Sequence, residues 1–462
     1  MPGPGRIAAY LEERLELPTI WARFTDRPLP KGVGWLHTFG SATLFLLLVQ
    51  AITGVFLAFY YVPSPEHAYE SVRLITSELA FGRIVRGVHG WGASLVVVFI
   101  GLHLLRTLFM GSFKYPRELT WVVGVLLLLV VVLFAFTGYL LPWDQRAYWA
   151  TVVGTHIADY APGIGSFLME VLRGQPEVGT RTLGRFYASH VLFLPAAIFP
   201  LVAVHLFMVV KQGIAPLPDR RSVPRGREEE RERYRRAKAE GRPFYESLAK
   251  DALLALALTV LLVALATFLG APLGDEADPA ATTYVPRPEW YFLFLYELLW
   301  WFPGRWIPVA TFWIPLGLVL VLLSLPWLDR SVHRHPLRRP VVTSATIAFL
   351  TVTGFLTYKG TRAPLPPAPG RVRPEAAGLS PLALEGLEVY ARAGCSACHT
   401  IDGQGGSAGP DLSRVGQSRS EEWLVRYTRD PRSTNPSAEM PPFSELTDEE
   451  LRALAAYLGT RR

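Results

Sequence analysis

Two apolar stretches bounded by histidines decide the fold: HGWGASLVVVFIGLH at residues 89–103 and HVLFLPAAIFPLVAVH at residues 190–205. The bounding histidines are 14 residues apart in the first stretch and 15 apart in the second. Because an α-helix has ~3.6 residues per turn, both steps close near four whole turns, so each pair lies on one helix face. The two levels are then ~21–22 Å apart, which is most of a ~30 Å hydrocarbon core.

Two facing helices of this kind predict two stacked haems, one near each membrane surface, each held by two histidines. The alternative is that these are unrelated histidines that are hydrogen-bonded inside a helix bundle. Ionisable residues are rare inside membranes and are mostly functional there, so two matched pairs favour the haem interpretation. The pattern therefore predicts a path for electrons across a bilayer.

The composition is that of an integral membrane protein. Half of the 462 residues are hydrophobic, 13 are tryptophan, and the mean hydropathy is +0.24, values that are unusual for a soluble chain. A membrane-spanning helix needs about 20 mostly apolar residues. The sequence therefore predicts an all-α, seven-span transmembrane helical bundle, with spans near residues 40–61, 84–110, 119–141, 187–210, 250–270, 307–325 and 341–358.

The charge distribution predicts the orientation. Lys and Arg residues concentrate in the connections 111–118, 211–250 and 328–340, whereas the alternate connections are acidic. Since basic loops stay in the cytoplasm, we expect a cytoplasmic N-terminus, and an odd number of spans puts the C-terminus outside. The formal charge of +7 mostly reflects this bias, so no nucleic acid partner is expected. Residues 7–24 are expected to form an amphipathic surface helix and residues 225–242 a solvated helical loop.

A small all-α domain with a haem-attachment motif follows the last span. Residues 362–380 are rich in Pro and Gly and predict a semi-rigid linker. In CSACH, residues 395–399, Cys395 and Cys398 are expected to bind a c-type haem covalently and His399 its iron. A plain disulfide and a thioredoxin-like pair are the alternatives, but no βαβ pattern surrounds the motif. Met440 is expected as the sixth iron ligand, and helices are expected at 382–392 and 447–458.

The connection between the fifth and sixth spans contains Pro288-Glu289-Trp290-Tyr291. A single loop glutamate is usually solvated. Glu289, however, lies at the start of an aromatic run that predicts a pocket wall for a quinone head-group, where a carboxylate is suited to accept a quinol proton.

Over residues 10–360 the chain resembles the cytochrome b of quinol:cytochrome c oxidoreductases, the cytochrome bc complexes. The resemblance rests on the paired histidines, on PEWY at 288–291, on LPWDQ at 141–145 and on FKYPREL at 113–119. The 15-residue step and the absence of an eighth span look like the short photosynthetic type joined to its three-helix companion subunit, and the C-terminal part resembles a class I cytochrome c. The expected domains are a dihaem four-helix domain (1–215), a three-helix domain with the quinol loop (216–361), the linker (362–380) and a cytochrome c domain (381–462).

The resemblance implies two non-covalent b-type haems besides the covalent c-type haem. The outer, low-potential haem would be ligated by His89 and His190, and the cytoplasmic, high-potential haem by His103 and His205. The resemblance also implies glycines that let a haem approach the backbone, at Gly40, Gly54, Gly124 and Gly138. It implies arginines that neutralise the haem propionates, at Arg86, Arg106 and Arg185. The alternative roles are helix packing for the glycines and interfacial anchoring for the arginines.

The resemblance also implies two quinone sites. At the outer site Glu289 would accept the quinol proton, with Tyr148 and Tyr296 lining the pocket. Asp251 and Lys211 lie at the cytoplasmic ends of spans, where quinone reduction is expected. Interfacial anchoring explains these last two residues equally well.

The cysteine count limits what the chain can hold. A Rieske [2Fe–2S] centre needs two cysteines and two histidines, and the only two cysteines here are assigned to haem c. No Fe–S cluster is therefore expected in this chain, and the resemblance implies a separate Rieske protein. It further implies the quinone pool, a cytochrome c acceptor, membrane lipid and a homodimeric complex in the bacterial cytoplasmic membrane, with the cytochrome c domain outside.

The expected function is bifurcated quinol oxidation coupled to proton translocation. One electron would go to the Rieske partner and then to haem c, and the other would cross the membrane through the two b haems to an inner quinone-reduction site. The alternative is a non-bifurcating dihaem membrane anchor that passes quinol electrons to haem c. A transporter or receptor would need polar residues along its spans, which are too apolar for that class.

Overall fold

In the computed structural model of the chain, the described residues are 4–16, 19, 25–218, 226–279, 284, 287–302, 304–362, 379–402, 404–406, 409–436, 438 and 440–461. Nearly all of the predicted linker lies outside the described residues. Residues 17–18 and 20–24 of the predicted surface helix lie outside them too, as do Arg220, Arg221 and Arg225 of the basic connection.

Helices dominate the described residues. In chain order they are α1 (Pro4–Leu15), α2 (Phe39–Ala58), α3 (Ala68–Ser77), α4 (Gly82–Phe109), α5 (Glu118–Tyr139), α6 (Gln145–Asp159), α7 (Gly165–Arg173), α8 (Thr180–Gln212), α9 (Arg227–Ala239), α10 (Tyr245–Phe268), α11 (Leu293–Trp300), α12 (Val309–Leu328), α13 (Pro340–Arg362), α14 (Pro381–Arg392), α15 (Val415–Ser418), α16 (Glu421–Arg429), α17 (Pro431–Thr434) and α18 (Asp448–Gly459).

Two short antiparallel pairs of strands complete the regular structure of the described residues. β1 (Pro28–Leu29) pairs with β2 (Arg242–Pro243), and β3 (Thr400–Ile401) pairs with β4 (Gln404–Gly405). Short 3₁₀ turns lie at Trp35–His37, Trp290–Phe292, Gly304–Trp306, Pro336–Arg338 and Cys395–Ala397.

Seven of the helices in the described part of the chain are long and apolar enough to cross a membrane. They are α2, α4, α5, α8, α10, α12 and α13, and each overlaps one of the seven predicted spans. The predicted all-α, seven-span fold is therefore confirmed. The largest difference is at α8, which begins seven residues before the predicted span, at Thr180.

The chain divides into two compact units. The first comprises residues 1–143, 170–274 and 315–352, and the second comprises residues 144–169, 275–314 and 353–462. In the first unit α2 packs on α4, α10 packs on both, and α5 packs on α8. Their shared core consists of Ala42, Leu46, Val96, Val131, Ile198, Leu258 and Leu262.

A π-helical segment explains the unequal histidine spacings. In α8 the residues Ser189–Phe193 are π-helical, and the N–H of Leu194 donates to the carbonyl of Ser189, five residues earlier. A π turn holds one more residue than an α turn does. The segment contains His190, so it absorbs the extra residue of the 15-residue step and keeps both histidines of α8 on one face.

The second unit contains the predicted C-terminal domain, where α14 packs on α18. Each of these helices begins at a side-chain cap, because Ser380 Oγ accepts from the N–H of Ala383 and Thr447 Oγ1 accepts from the N–H of Glu450, both at 3.2 Å. Tyr457 on α18 is fully buried in the domain core. The two helices agree with the predicted ones to within one residue.

Candidate haem and quinol sites

The imidazoles of His89 on α4 and His190 on α8 face each other. Their ring centroids are 6.4 Å apart, and the ring planes are inclined by 71°. Because an imidazole nitrogen lies about 2 Å from a metal that it binds, two imidazoles on opposite sides of one metal have ring centres roughly 6 Å apart. The spacing of this pair therefore fits a bis-histidine haem iron.

The second level lies four helical turns away, where α4 carries His103 and α8 carries His205. The ring of His103 lies against Gly40, and that of His205 lies against Gly124. Nδ1 of His205 is buried, and among the described residues it has no hydrogen-bond partner. The arrangement of two imidazoles from the same two helices is thus repeated at the other end of the bundle.

The four predicted glycines each lie against one of the four histidines. An added Cβ atom would crowd the facing ring at Gly40, Gly54 and most of all Gly138, where the contact falls below the 3.0 Å that real Cβ atoms respect. At Gly124 it would meet the ring at ordinary van der Waals distance. The glycines therefore make room for the imidazoles themselves, which helix packing alone does not require. The distances from such a Cβ to Cε1 of the facing ring are 3.1 Å for Gly40 and His103, 3.3 Å for Gly54 and His89, 3.4 Å for Gly124 and His205, and 2.6 Å for Gly138 and His190.

Two threonines that had no predicted role contact the histidines. Thr53 Oγ1 is 2.9 Å from His89 Nδ1, and Thr137 Oγ1 is 3.1 Å from His190 Nδ1. Each threonine directly precedes one of the predicted glycines, so the repeated Thr-Gly pair, 53–54 and 137–138, was the signal in the sequence.

The three arginines that were expected near haem propionates donate to backbone carbonyls in the first unit. Arg86 is 8% exposed, and among the described residues Nε of Arg106 is buried without a partner. The role of the three arginines toward propionates stays a prediction. Their acceptors are Ala271 and Pro272 for Arg86, at 3.0 and 2.7 Å, Ala215 for Arg106, at 3.0 Å, and Glu170 for Arg185, at 3.0 Å.

The C-terminal domain presents the predicted iron ligand His399 in a fixed orientation. Its ring lies against Gly409, and Nδ1 is 2.9 Å from the carbonyl oxygen of Pro410. A carbonyl can only accept, so Nδ1 carries the proton and Nε2 keeps the lone pair that a metal needs. Cys395 and Cys398 are both free thiols, and burial raises the pKa of the Cys395 thiol to about 12. This geometry fits a covalent haem with His399 as its proximal ligand, and Met440 stays a prediction.

Glu289 is paired with Arg146, a residue that had no predicted role. Nη2 of Arg146 is 3.0 Å from Glu289 Oε1, and its Nε donates to the carbonyl of Arg287 at 3.2 Å. The two side chains are about one-third exposed, at 35% and 30%. Tyr291 lies beside the pair, where burial and then the charge of Glu289 raise the pKa of its phenol. The carboxylate is therefore oriented by the guanidinium, beside an aromatic wall and partly open to solvent.

Two tyrosines of the second unit were expected in the same pocket. Tyr148 on α6 is 6% exposed, and its ring centroid is 5.3 Å from that of Trp149. Tyr296 on α11 is partly buried, and this burial raises the pKa of its phenol. Their participation in a quinol pocket stays a prediction.

Asp251, near the start of α10, contacts the serine that follows Gly40 in the sequence. Ser41 Oγ is 2.6 Å from Asp251 Oδ1 and 2.8 Å from the carbonyl oxygen of Thr38. Lys211 lies over the ring of Phe207, 5.7 Å from its centroid. Asp251 thus has a polar neighbour on α2 that was not predicted, and Lys211 has the contact of an interfacial side chain.

Three family models match successive parts of the chain. The family model described as cytochrome b/b6/petB matches residues 24–213, which include all four histidines of α4 and α8. The model described as cytochrome b(C-terminal)/b6/petD matches residues 276–370, and the cytochrome c model matches residues 383–462. A relative from Chlorobaculum thiosulfatiphilum, named cytochrome bc complex cytochrome b subunit, is 35% identical over 364 residues, which are 76% of this chain and 81% of the relative. The chain belongs to the cytochrome b family.

Two further matches cover different shares of this cytochrome b. A protein from Bacillus subtilis named menaquinol:cytochrome c reductase cytochrome b subunit is 47% identical over 218 residues, which are 46% of this chain and 97% of the relative. Among solved structures, one titled hyperthermophilic respiratory Complex III matches with a TM-score of 0.66 and 28% identity, over 77% of this chain and 91% of that one. The resemblance that the motifs predicted is thereby confirmed, and the cytochrome b carries a cytochrome c domain in the same chain.

Proposed function

We propose that this cytochrome b oxidises quinol with bifurcation of its two electrons, coupled to proton translocation. One electron leaves through a separate Rieske protein toward the cytochrome c domain, and the other crosses the membrane to an inner site where quinone is reduced. The enzyme class, a quinol–cytochrome c oxidoreductase, is that of the relatives. When bound, two b-type haems and one covalent c-type haem supply the one-electron carriers for the two branches.

The observation that carries the proposal is the matched geometry of the four histidines. Two helices each contribute one imidazole to each of two levels, and one pair has the ring spacing that a metal between two imidazoles requires. A glycine faces each of these rings, and at Gly40, Gly54 and Gly138 a Cβ atom would crowd the ring. A bundle that used its histidines only for hydrogen bonding has no need for this repetition.

The residues at the proposed outer site handle the quinol proton. Glu289 offers a partly exposed carboxylate, and Arg146 holds it in one orientation. A carboxylate at hydrogen-bond distance from a hydroxyl can accept its proton as a general base. Tyr148, Tyr291 and Tyr296 are proposed to line the same pocket.

The partners follow from the donor set and from the names of the relatives. Both cysteines of the chain lie in the C-x-x-C-H motif, so a Rieske cluster has to come from another polypeptide. We propose a homodimeric complex in a bacterial cytoplasmic membrane, with the basic connections in the cytoplasm and the cytochrome c domain outside. Lipid, the quinone pool and a cytochrome c acceptor complete the proposed partners.

Glu289→Gln tests bifurcation in the purified complex. Quinol oxidation should fall by at least about a hundredfold, the scale of a positioned general base, while the haem spectrum stays intact. The control is Glu276→Gln, which changes an exposed carboxylate of the same connection and should leave turnover unchanged. A menaquinol analogue is the first substrate to use, because the Bacillus relative is named for it. Unchanged turnover in Glu289→Gln would instead favour the non-bifurcating conduit.

Haem content tests the cofactor assignment. Acid–acetone extraction followed by pyridine haemochrome spectra should yield two extractable b haems for each haem that stays bound to the protein. His103→Leu or His190→Leu should each remove one b haem and leave the covalent haem. Retention of both b haems in either variant would refute the assignment of the histidine pairs.

A further inference from the structure

The hydroxyl groups of Thr53 and Thr137 make the two histidine levels chemically different. Both threonines are more than nine-tenths buried, and each contacts Nδ1 of an imidazole at one level only. They belong to different helices, α2 and α5, yet each stands one residue before the glycine that seats the same ring. The level of His89 and His190 therefore carries one hydroxyl on each side.

The direction of these hydrogen bonds follows from the other contact of each hydroxyl. Thr53 Oγ1 is 2.7 Å from the carbonyl oxygen of Val49, and Thr137 Oγ1 is 2.8 Å from that of Leu133. A hydroxyl has one proton, and a carbonyl can only accept it. The threonine oxygen is then free to accept from the imidazole, so Nδ1 carries a proton and Nε2 keeps its lone pair for the iron.

The other level has no such hydroxyl. Among the described residues no hydrogen bond joins a threonine or serine side chain to the ring of His103 or His205. The residues that precede the facing glycines here are Phe39 and Val123, which cannot accept a hydrogen bond through their side chains. A backbone carbonyl lies near a ring at each level, Gln50 and Phe134 at His89 and His190 and Thr120 at His205, so the carbonyls do not distinguish the two levels.

We propose that Thr53 and Thr137 lower the reduction potential of the haem held by His89 and His190 below that of the haem held by His103 and His205. A hydrogen bond accepted from Nδ1–H increases the basicity of the imidazole, and a more basic ligand stabilises the oxidised iron. Hydrogen bonding around the ligands is one of the means by which a protein sets a haem potential. The inference rests on the proposed function for the presence of both haems, and it adds a physical cause for their order.

The test is a spectroelectrochemical titration of the b haems in the intact complex. In the double variant Thr53→Val/Thr137→Val the lower of the two b potentials should rise and the higher should stay. The equilibrium constant for electron transfer between the haems should fall by about tenfold, which corresponds to 59 mV for one electron. Serine at both positions keeps the hydroxyls and should therefore show the original potential. This variant still tests the proposal if the valine variant binds the haem too weakly for its potential to be measured.

A reciprocal variant tests the same idea at the other level. Val123→Thr adds a hydroxyl at the position equivalent to Thr137, with little change of volume, and should lower the potential of the haem at His103 and His205. The matched control is Thr43→Val. Thr43 is also buried in α2 and donates to the carbonyl of Phe39 at 2.8 Å, and in the described structure it has no hydrogen bond to a histidine, so neither potential should move.

The outcomes separate this inference from the proposed function. If both potentials are unchanged in the double valine variant while His103→Leu and His190→Leu each remove one b haem, the hydroxyls do not set the order and only the inference fails. A shift confined to the haem of His103 and His205 in that variant would overturn it equally. If the histidine variants keep both b haems, the haem assignment in the proposed function is wrong, and the inference that rests on it is wrong as well.

Discussion

The guanidinium of Arg146 and the carboxylate of Glu289, from segments far apart in the sequence, form an ion pair with a 3.0 Å N···O distance. A second hydrogen bond, from Nε of Arg146 to the backbone of the loop that carries Glu289, fixes the arginine against that loop. Partly exposed ion pairs contribute only about 0–1 kcal/mol to stability. The pair therefore matters for where the carboxylate points more than for the stability of the fold.

Arg146→Gln should impair quinol oxidation without unfolding the protein. Losing the guanidinium leaves Glu289 free to rotate, and a misplaced catalytic group can cost up to about a hundredfold in rate. We expect kcat/KM for quinol to fall by about tenfold or more, with Arg146→Lys intermediate because it keeps the charge but not both contacts. Steady-state kinetics of the purified complex measures this. The control is Lys359→Gln, which removes a different ion pair of the second unit, at 3.7 Å from Glu297, and should leave the kinetics unchanged. Wild-type kinetics in Arg146→Gln would contradict the assigned role.

Gly138→Ala should selectively disturb the haem level at His190. A methyl group there would lie 2.6 Å from Cε1 of the imidazole, closer than real Cβ atoms approach, so the ring or the helix has to shift. We expect loss or a changed spectrum of one b haem, while the covalent haem is retained. The control is Gly101→Ala on α4, where an added methyl group meets nothing within 4 Å in the described structure. Two normal b haems in Gly138→Ala would contradict this prediction and would show that the helices move enough to accommodate the methyl group.

The periodic features of the chain were predictable from the sequence because they follow from helix geometry. Seven apolar segments gave the seven spans, and the steps of 14 and 15 residues placed the four histidines on two levels. The four glycines came from the family resemblance, which did not predict that each of them faces a histidine ring; Gly40 and Gly54 repeat the 14-residue step of the histidines that they face. The π segment at His190 was not predictable, because the choice between an α and a π turn depends on packing around the extra residue.

Contacts between distant segments were not predictable in the same way. The Arg146–Glu289 pair depends on the tertiary packing of a helix end against a loop, and no periodic pattern in the sequence predicts that contact. The same holds for Ser41 and Asp251, which belong to α2 and α10. The contacts of Thr53 and Thr137 stand between these cases, since their regular placement before glycines is visible in the chain but their bonding to a histidine is not.

Asp329→Asn should destabilise the first unit. The carboxylate is 4% exposed and lies between two cations, with Oδ1 2.9 Å from Nζ of Lys114 and Oδ2 2.6 Å from Nε of Arg339. Removing one partner of a buried ion pair leaves uncompensated charge and typically costs about 3–5 kcal/mol. Thermal unfolding in detergent, followed through the b haem absorbance, should show a clearly lower midpoint. Glu232→Gln, which disrupts exposed pairs on α9, should shift the midpoint by far less, and equal shifts in the two variants would contradict the buried network.

Asp251→Asn should separate the two proposed quinone reactions. Asparagine keeps the size of the side chain and can still accept from Ser41, which is 2.6 Å away, but it cannot carry a proton. Reduction of the b haems by quinol should therefore proceed at the normal rate, while their reoxidation by quinone should slow by about tenfold or more, the scale of a general acid–base group. Ser41→Ala should show a smaller effect in the same direction, because it frees the carboxylate without removing it. Stopped-flow spectroscopy of the b haems resolves the two phases, with Glu246→Gln, an exposed carboxylate on the same helix, as the control. Slowed reduction of the b haems by quinol in Asp251→Asn would contradict the assignment of this residue to the quinone-reduction site.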